Sequence, residues 1–228
     1  MLSRTSLVVL GFLGALALPA CSRSSGTAVP EGKPAATTAS AAQHRNVGVD
    51  PGGVGAGTPL TPKAGHELAA FAAGCFWGVE DTFRQVPGVT ATAVGYTGGH
   101  TEKPTYETVC SHTTGHAEAV LVEFDPTKVK YEKLVEVFFA THDPTTLNRQ
   151  GPDIGDQYRS HVFTFSDVQD KIMQAAIARE NEKRGAKKVT TKVSRIGAFW
   201  KAEEYHQQYD EKTGTHSCPL PMKLGEGT

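Results

Sequence analysis

The sequence predicts an α+β fold: a two-layer α/β sandwich on a ferredoxin-like, split-βαβ core with an irregular C-terminal tail. Apolar spacing carries this first, because from Glu67 onward it alternates between strand and helix periods in the order strand, helix, strand, strand, helix, strand. Helix stops fit the same order, with Pro87-Gly88, Pro144 and Gly185 falling after the helical stretches. The stretch after Tyr209 carries Gly214, Pro219, Pro221 and Gly225, residues that interrupt regular structure.

Each element has its own signal. Glu67 to Ala73 ends in the apolar run Phe71-Ala72-Ala73 and reads as a first strand; Phe76, Val79 and Phe83 then recur at helical spacing, predicting a helix over 76–85. Val89 to Tyr96 alternates like a second strand, and a long glycine-rich loop runs from Thr97 to Gly115. Glu118 to Phe124 is the third strand. Tyr131, Leu134, Val135 and Phe138 fall at i, i+3, i+4 and i+7, marking an amphipathic helix whose apolar face covers the sheet. Ser160 to Phe165 is the fourth strand, and Ser166 with Gln169 forms a capping box for a helix with Val168, Ile172, Met173, Ala176 and Ile177 as its apolar stripe. Thr191 to Ile196 is one more strand, followed by a short helix over about 202–208.

Composition places the chain among ordinary globular proteins: 228 residues, 39% hydrophobic, 21% charged, formal net charge −1, with no nucleic-acid bias. The front is different. Arg4 precedes an apolar run from Leu7 to Leu18, too short to span a bilayer and typical of a secretory signal. Leu18-Pro19-Ala20-Cys21 resembles a lipobox, in which Cys21 receives lipid and becomes the new N-terminus; cleavage after Ala17 with plain secretion is the alternative. Residues from Ser22 to about Lys63 are rich in Ala, Gly, Ser, Thr and Pro and lack aromatics, so they cannot bury a core and read as a tether. The expected organisation is a signal at 1–20, a lipidated Cys and linker at 21–65, and a catalytic domain at 66–228. Ser22 favours outer-membrane sorting if the source has two membranes.

Of the four cysteines, Cys75 stands out within Gly74-Cys75-Phe76-Trp77-Gly78. Lying between a strand end and a helix start, it meets open backbone N–H groups and the positive end of the helix dipole, which favour a thiolate nucleophile. Gly74 and Gly78 leave room for an approaching substrate backbone. No CxxC is present, and the spacings of Cys110, His116 and Cys218 match no familiar metal pattern, so no metal is expected.

Further blocks follow in order: Gly95-Tyr96-Thr97-Gly98-Gly99, Pro104-Thr105-Tyr106, Gly115-His116-Ala117-Glu118, His142-Asp143-Pro144, Asp153, Gln157-Tyr158-Arg159-Ser160 and His206-Gln207-Gln208-Tyr209. Over roughly residues 66–222 the chain resembles the peptide methionine sulfoxide reductases of type A. The resemblance implies thiol-dependent reduction of methionine S-sulfoxide, free or in oxidised proteins and peptides, by a monomer without bound cofactor. Cys75 is implied to be the nucleophile and Glu118 the proton donor. Phe76 and Trp77 are implied to wall the methyl group, Tyr106 and Tyr158 to orient the sulfoxide oxygen, and Asp153 to help place the substrate. Some relatives of this kind carry two closely spaced C-terminal cysteines, whereas this tail has only Cys218, so a single resolving thiol is implied, with thioredoxin or a thioredoxin-like dithiol as reductant. Cys110 is held as a spare thiol. A thiol peroxidase and a lipid-tethered module that binds methionine-rich peptides are the competing readings.

Overall fold

The computed structural model describes residues 45–46 and 60–216. The signal segment, Cys21, nearly all of the linker, and the tail with Cys218 lie outside the described residues. In chain order the first elements are β1 (Arg45–Asn46), β2 (Glu67–Ala73), α1 (Phe76–Arg84), β3 (Val89–Thr97), α2 (Tyr106–Cys110) and β4 (Ala117–Phe124). There follow α3 (Tyr131–Thr141), the two-residue strands β5 (Arg149–Gln150) and β6 (Asp153–Ile154), a 3-10 turn at Asp156–Tyr158, β7 (Ser160–Thr164) and α4 (Asp167–Arg184). The chain closes with β8 (Lys192–Arg195), β9 (Phe199–Lys201), a second 3-10 turn at Glu204–His206, and α5 (Tyr209–Thr213).

The main sheet runs β1-β3-β4-β2-β7-β8, with β9 also on β3. Because β4 is antiparallel to both β3 and β2, and β2 is antiparallel to β7, the units β2-α1-β3 and β4-α3-β7 each join parallel strands with one strand between them. The period of two then sorts the side chains. Ala69 and Phe71 of β2 and Val120, Val122 and Phe124 of β4 meet Phe76, Phe83, Leu134 and Phe138 from α1 and α3. Phe71 anchors this face, stacking on Phe83 with centroids 4.7 Å apart and on Phe138 at 5.5 Å. Burying each such ring contributes roughly 1.5–3 kcal/mol. The opposite face is built from smaller residues, Leu68, Ala70 and Ala72 of β2 with Ala117, Ala119 and Leu121 of β4, closed by Phe163 and Phe199.

The mixed α+β architecture and the expected strands are present, and the differences lie in short elements. The loop after β3 contains α2, which Thr105 caps by accepting from Thr108 N–H. The short helix expected near 202–208 is reduced to a 3-10 turn at Glu204–His206, with β9 just before it at Phe199–Lys201, and the region after Tyr209 begins with α5 instead of being irregular. Val168 is 65% exposed; the buried stripe of α4 consists of Gln169, Met173 and Ala176. Ser166 does accept from Gln169 N–H at 3.2 Å, but the Gln169 side chain takes Phe165 N–H at 2.9 Å and donates to Leu68 O at 2.8 Å, tying α4 to β2. Half of the expected capping box is therefore given over to a tertiary contact.

Candidate active site

Strand β2 ends at Ala73 and α1 starts at Phe76, so Cys75 occupies the N-cap of α1, half-buried at the end of the sheet. No acidic residue stands in the first turn of α1, so nothing there cancels the dipole that favours a thiolate. Gly74 departs from expectation. Its φ is +101°, and a Cβ on it would lie 2.8 Å from Gln150 Cγ, so the glycine accommodates Gln150 and not a substrate. Gln150 in turn accepts from Asp143 N–H and donates to Asp143 O, closing the loop after α3 beside the thiol. A cavity of about 590 Å³ adjoins Cys75 here, lined also by Ala73, Val79, His142, Thr146 and Pro152.

Glu118 owes its position to strand period: it shares a face with Val120, Val122 and Phe124 and is 2% exposed. Its Oε2 accepts the Phe76 N–H at 3.2 Å, which brings the carboxyl to the residue next to Cys75. Burial pushes Glu118 up to about 8, the Phe76 N–H opposing and the nearby Asp153 charge adding. The carboxyl is therefore mostly protonated at neutral pH and is an O–H donor beside a thiol.

The Tyr158 phenol and a second carboxyl stand near this acid, with Tyr106 beyond Tyr158. Burial holds the Tyr158 phenol well above its ordinary range, and the charges of Glu118, Tyr106, Cys110 and Asp153 push the same way, so Tyr158 keeps its proton. Asp153, on β6 and half-buried, is itself raised by desolvation. Cys110, at the end of α2, faces this group and Tyr205. Among the described residues, no group of three His, Cys, Asp or Glu side chains is placed to hold a metal ion.

The aromatic wall is assembled from both ends of the domain. Trp77 stacks on Tyr209 with centroids 3.9 Å apart and donates its Nε1–H to His206 Nδ1 at 3.0 Å. The His206 ring also packs on Phe76 at 5.1 Å and Tyr106 at 4.8 Å. Burial pushes His206 down to about 4, against the pull of Glu203, so it is neutral and able to accept from the indole. His116 stands apart from this wall. Its ring accepts from Gly99 N–H, and the other ring nitrogen lies 2.8 Å from Thr101 O, fixing the loop beside β4.

The family model for peptide methionine sulfoxide reductase matches residues 67–227. The chain belongs to that family. MsrA of Methanosarcina acetivorans is 57% identical over 155 residues, covering 67% of this chain and 82% of its own. MsrA of Methanothermobacter thermautotrophicus is 54% identical over 160 residues, 70% of this chain and 94% of its own. Among solved structures, methionine sulfoxide reductase A of Corynebacterium diphtheriae superposes with a TM-score of 0.63 at 35% identity, covering 72% of this chain and 82% of that one. Mxr1 of Saccharomyces cerevisiae in its reduced form gives the same score and identity over 71% of this chain and 97% of that one. This protein is thus an oxidoreductase that reduces methionine sulfoxide, which sets aside the peroxidase and binding-module readings.

The structure brings the predicted Phe76, Asp153 and Tyr158 to Glu118, with Phe76 next in the chain to Cys75, and joins Trp77 and Tyr106 to Phe76 through His206. His206 and Tyr209 stand out in the sequence only as members of a block and carry no role there, although both close the aromatic wall. The aromatic density of Tyr205-His206 and Tyr209 is the signal that could have found them.

Proposed function

We propose that this reductase acts on the S epimer of methionine sulfoxide, free or in oxidised proteins, through a Cys75 sulfenic acid that Cys218 resolves. The observation that carries this is the Glu118 carboxyl, buried, held at about 8 and bonded to Phe76 N–H beside Cys75. The Cys75 thiolate attacks the sulfoxide sulfur while Glu118 donates its proton to the departing oxygen. Tyr106 and Tyr158 steady that oxygen by hydrogen bonds, and Phe76 and Trp77 take the methyl group, so that one arrangement of methyl and oxygen fits. Methionine leaves with two electrons gained, and Cys75 carries the oxygen as sulfenic acid. The Cys218 thiol then attacks that sulfur, releasing water and forming a Cys75–Cys218 disulfide, which a thioredoxin-like dithiol reduces. Asp153 places the substrate and Cys110 takes no part.

We further propose that Arg4, the Leu7–Leu18 run and Cys21 direct the protein to the cell envelope as a lipoprotein, where it repairs oxidised exported proteins. Cys21→Ala should release it from membranes or block its processing.

The deciding assay offers the purified protein separate S and R epimers with dithiothreitol and quantifies methionine. Wild type should turn over only the S epimer, and Cys75→Ser should have no turnover, because a hydroxyl cannot supply an equivalent nucleophile near neutral pH. Cys218→Ser should release one equivalent of methionine per enzyme and stall with thioredoxin, while dithiothreitol restores turnover. Substantial activity in Cys75→Ser, or a Cys75–Cys110 disulfide after one turnover, would overturn the assignment.

A further inference from the structure

We propose that Glu203 is a positioning residue that fixes the Tyr106 phenol relative to the Trp77 wall, so that the oxygen and methyl sides of the substrate pocket are set by one carboxylate. Glu203 precedes the 3-10 turn at Glu204–His206, and both of its partners are remote in sequence. Its Oε1 accepts the backbone N–H of Tyr106 at 2.9 Å, and its Oε2 accepts the Tyr96 hydroxyl, also at 2.9 Å. It therefore ties the first residue of α2 to β3 in the sheet. Helix α2 has only 5 residues, too few to hold its own place, so the Tyr106 backbone depends on outside anchors such as this one.

The link to Trp77 follows from hydrogen-bond chemistry. An indole N–H can only donate, so His206 Nδ1 must accept and the ring proton sits on Nε2. That Nε2 is buried without a hydrogen-bond partner among the described residues, and Glu203 Oε2 stands 3.9 Å from it. A buried N–H donor with no partner is costly, and the carboxylate charge at that distance is what stabilises it. Glu203 thus faces the chain Trp77–His206 with one oxygen and the α2 start with the other.

This inference rests on reading Tyr106 as a phenol that binds the sulfoxide oxygen. A double-mutant cycle in the full-length protein tests both, with kcat/KM for the S epimer as the readout and thermal melting as a check on folding. Glu203→Gln keeps one acceptor but turns an NH2 group toward the other donor. It should lower kcat/KM roughly 10–150-fold in the wild-type background, the size of one hydrogen bond to a charged group. In a Tyr106→Phe background the same change should cost less than about twofold, because the phenol through which Glu203 acts is gone. Tyr96→Phe, which removes the tie to β3 but leaves the Tyr106 N–H bond in place, should cost less than Glu203→Gln in the wild-type background and, like it, lose its effect in Tyr106→Phe. If Glu203→Gln does not fold, Glu203→Asp replaces it, since the shorter side chain cannot span both partners. Equal losses in the two backgrounds would overturn the positioning role alone. Full activity in Tyr106→Phe would overturn the reading of Tyr106 and this inference with it.

Discussion

Helix α1 carries one buried carboxyl and meets a second at its N-terminus, and the two differ in what surrounds them. Glu80, within α1, is 1% exposed, and Glu118, on β4, is 2% exposed; burial pushes both upward. Glu80 is met by the Thr92 hydroxyl at 2.8 Å, the Gln208 N–H at 2.7 Å and the Gln208 side-chain amide at 3.0 Å, with Arg84 nearby. Among the described residues, Glu118 has the N–H of Phe76 at 3.2 Å as its hydrogen-bond donor and the like charge of Asp153 nearby. A surplus of donors makes the first carboxyl an anchor, which holds Gln208 at φ +49°, a conformation costly for a non-glycine residue, and so docks α5 against α1. A shortage of donors leaves the second inclined to keep its proton, as the proposed role of acid requires. Desolvation alone is common to both, so it does not by itself identify a proton donor; the count of hydrogen bonds to the charged form does.

The strongest way to break this comparison is to exchange the two carboxyls for neutral groups and measure kcat/KM on the S epimer. Glu118→Ala should lose roughly 10²–10⁴-fold, the usual range for a general acid, and Glu118→Gln should recover part of it by donating a hydrogen bond. Glu80→Gln should stay within about threefold of wild type, because it touches no reacting atom. Comparable losses at both positions would end the distinction.

The pH profile sharpens it further. Glu118 must hold its proton to act, so activity should fall as pH rises through about 8, a limb that Glu80→Gln retains and Glu118→Gln abolishes. Linkage has the same sign: a carboxyl raised from 4.5 to about 8 contributes stability that is fully present below 4.5 and lost as pH rises through about 8. Urea midpoints of wild type should decline across that window relative to Glu118→Gln.

At fixed pH the order of the two carboxyls should reverse for stability. Glu80→Ala strips acceptors from buried donors and should cost roughly 2–5 kcal/mol by urea unfolding, with α5 released from Trp77. The smallest effect belongs to Glu211→Gln, which weakens the pair with Arg84 at the outer edge of the same latch. Since the Glu211 side chain is 59% exposed, the change should cost less than about 1 kcal/mol. A larger cost would mean that the latch depends on its rim and not on Glu80.

Much of this molecule is local enough to read from sequence. The period of two in Glu118 to Phe124, the helical spacing of Tyr131, Leu134, Val135 and Phe138, and the strand-to-helix turn at Cys75 follow from residues within a few positions of one another. The chemistry proposed for Cys75, Glu118, Tyr106 and Tyr158 starts from the distinctive blocks in which they sit. What sequence could not supply are the elements whose partners are remote. Helix α2 is anchored by Glu203 at a separation of 97 residues, and α5 by Glu80 at 128. Gln169 gives up half of a local capping box for Leu68, 101 positions away, and Gly74 serves the side chain of Gln150. Segments of three to five residues have too little internal hydrogen bonding to hold a conformation, so their structure is decided by the surfaces that receive them. The proton on Glu118 belongs to that second class: a carboxyl at a strand start is ordinarily ionised, and only the burial and the scarcity of donors created by tertiary packing keep this one an acid.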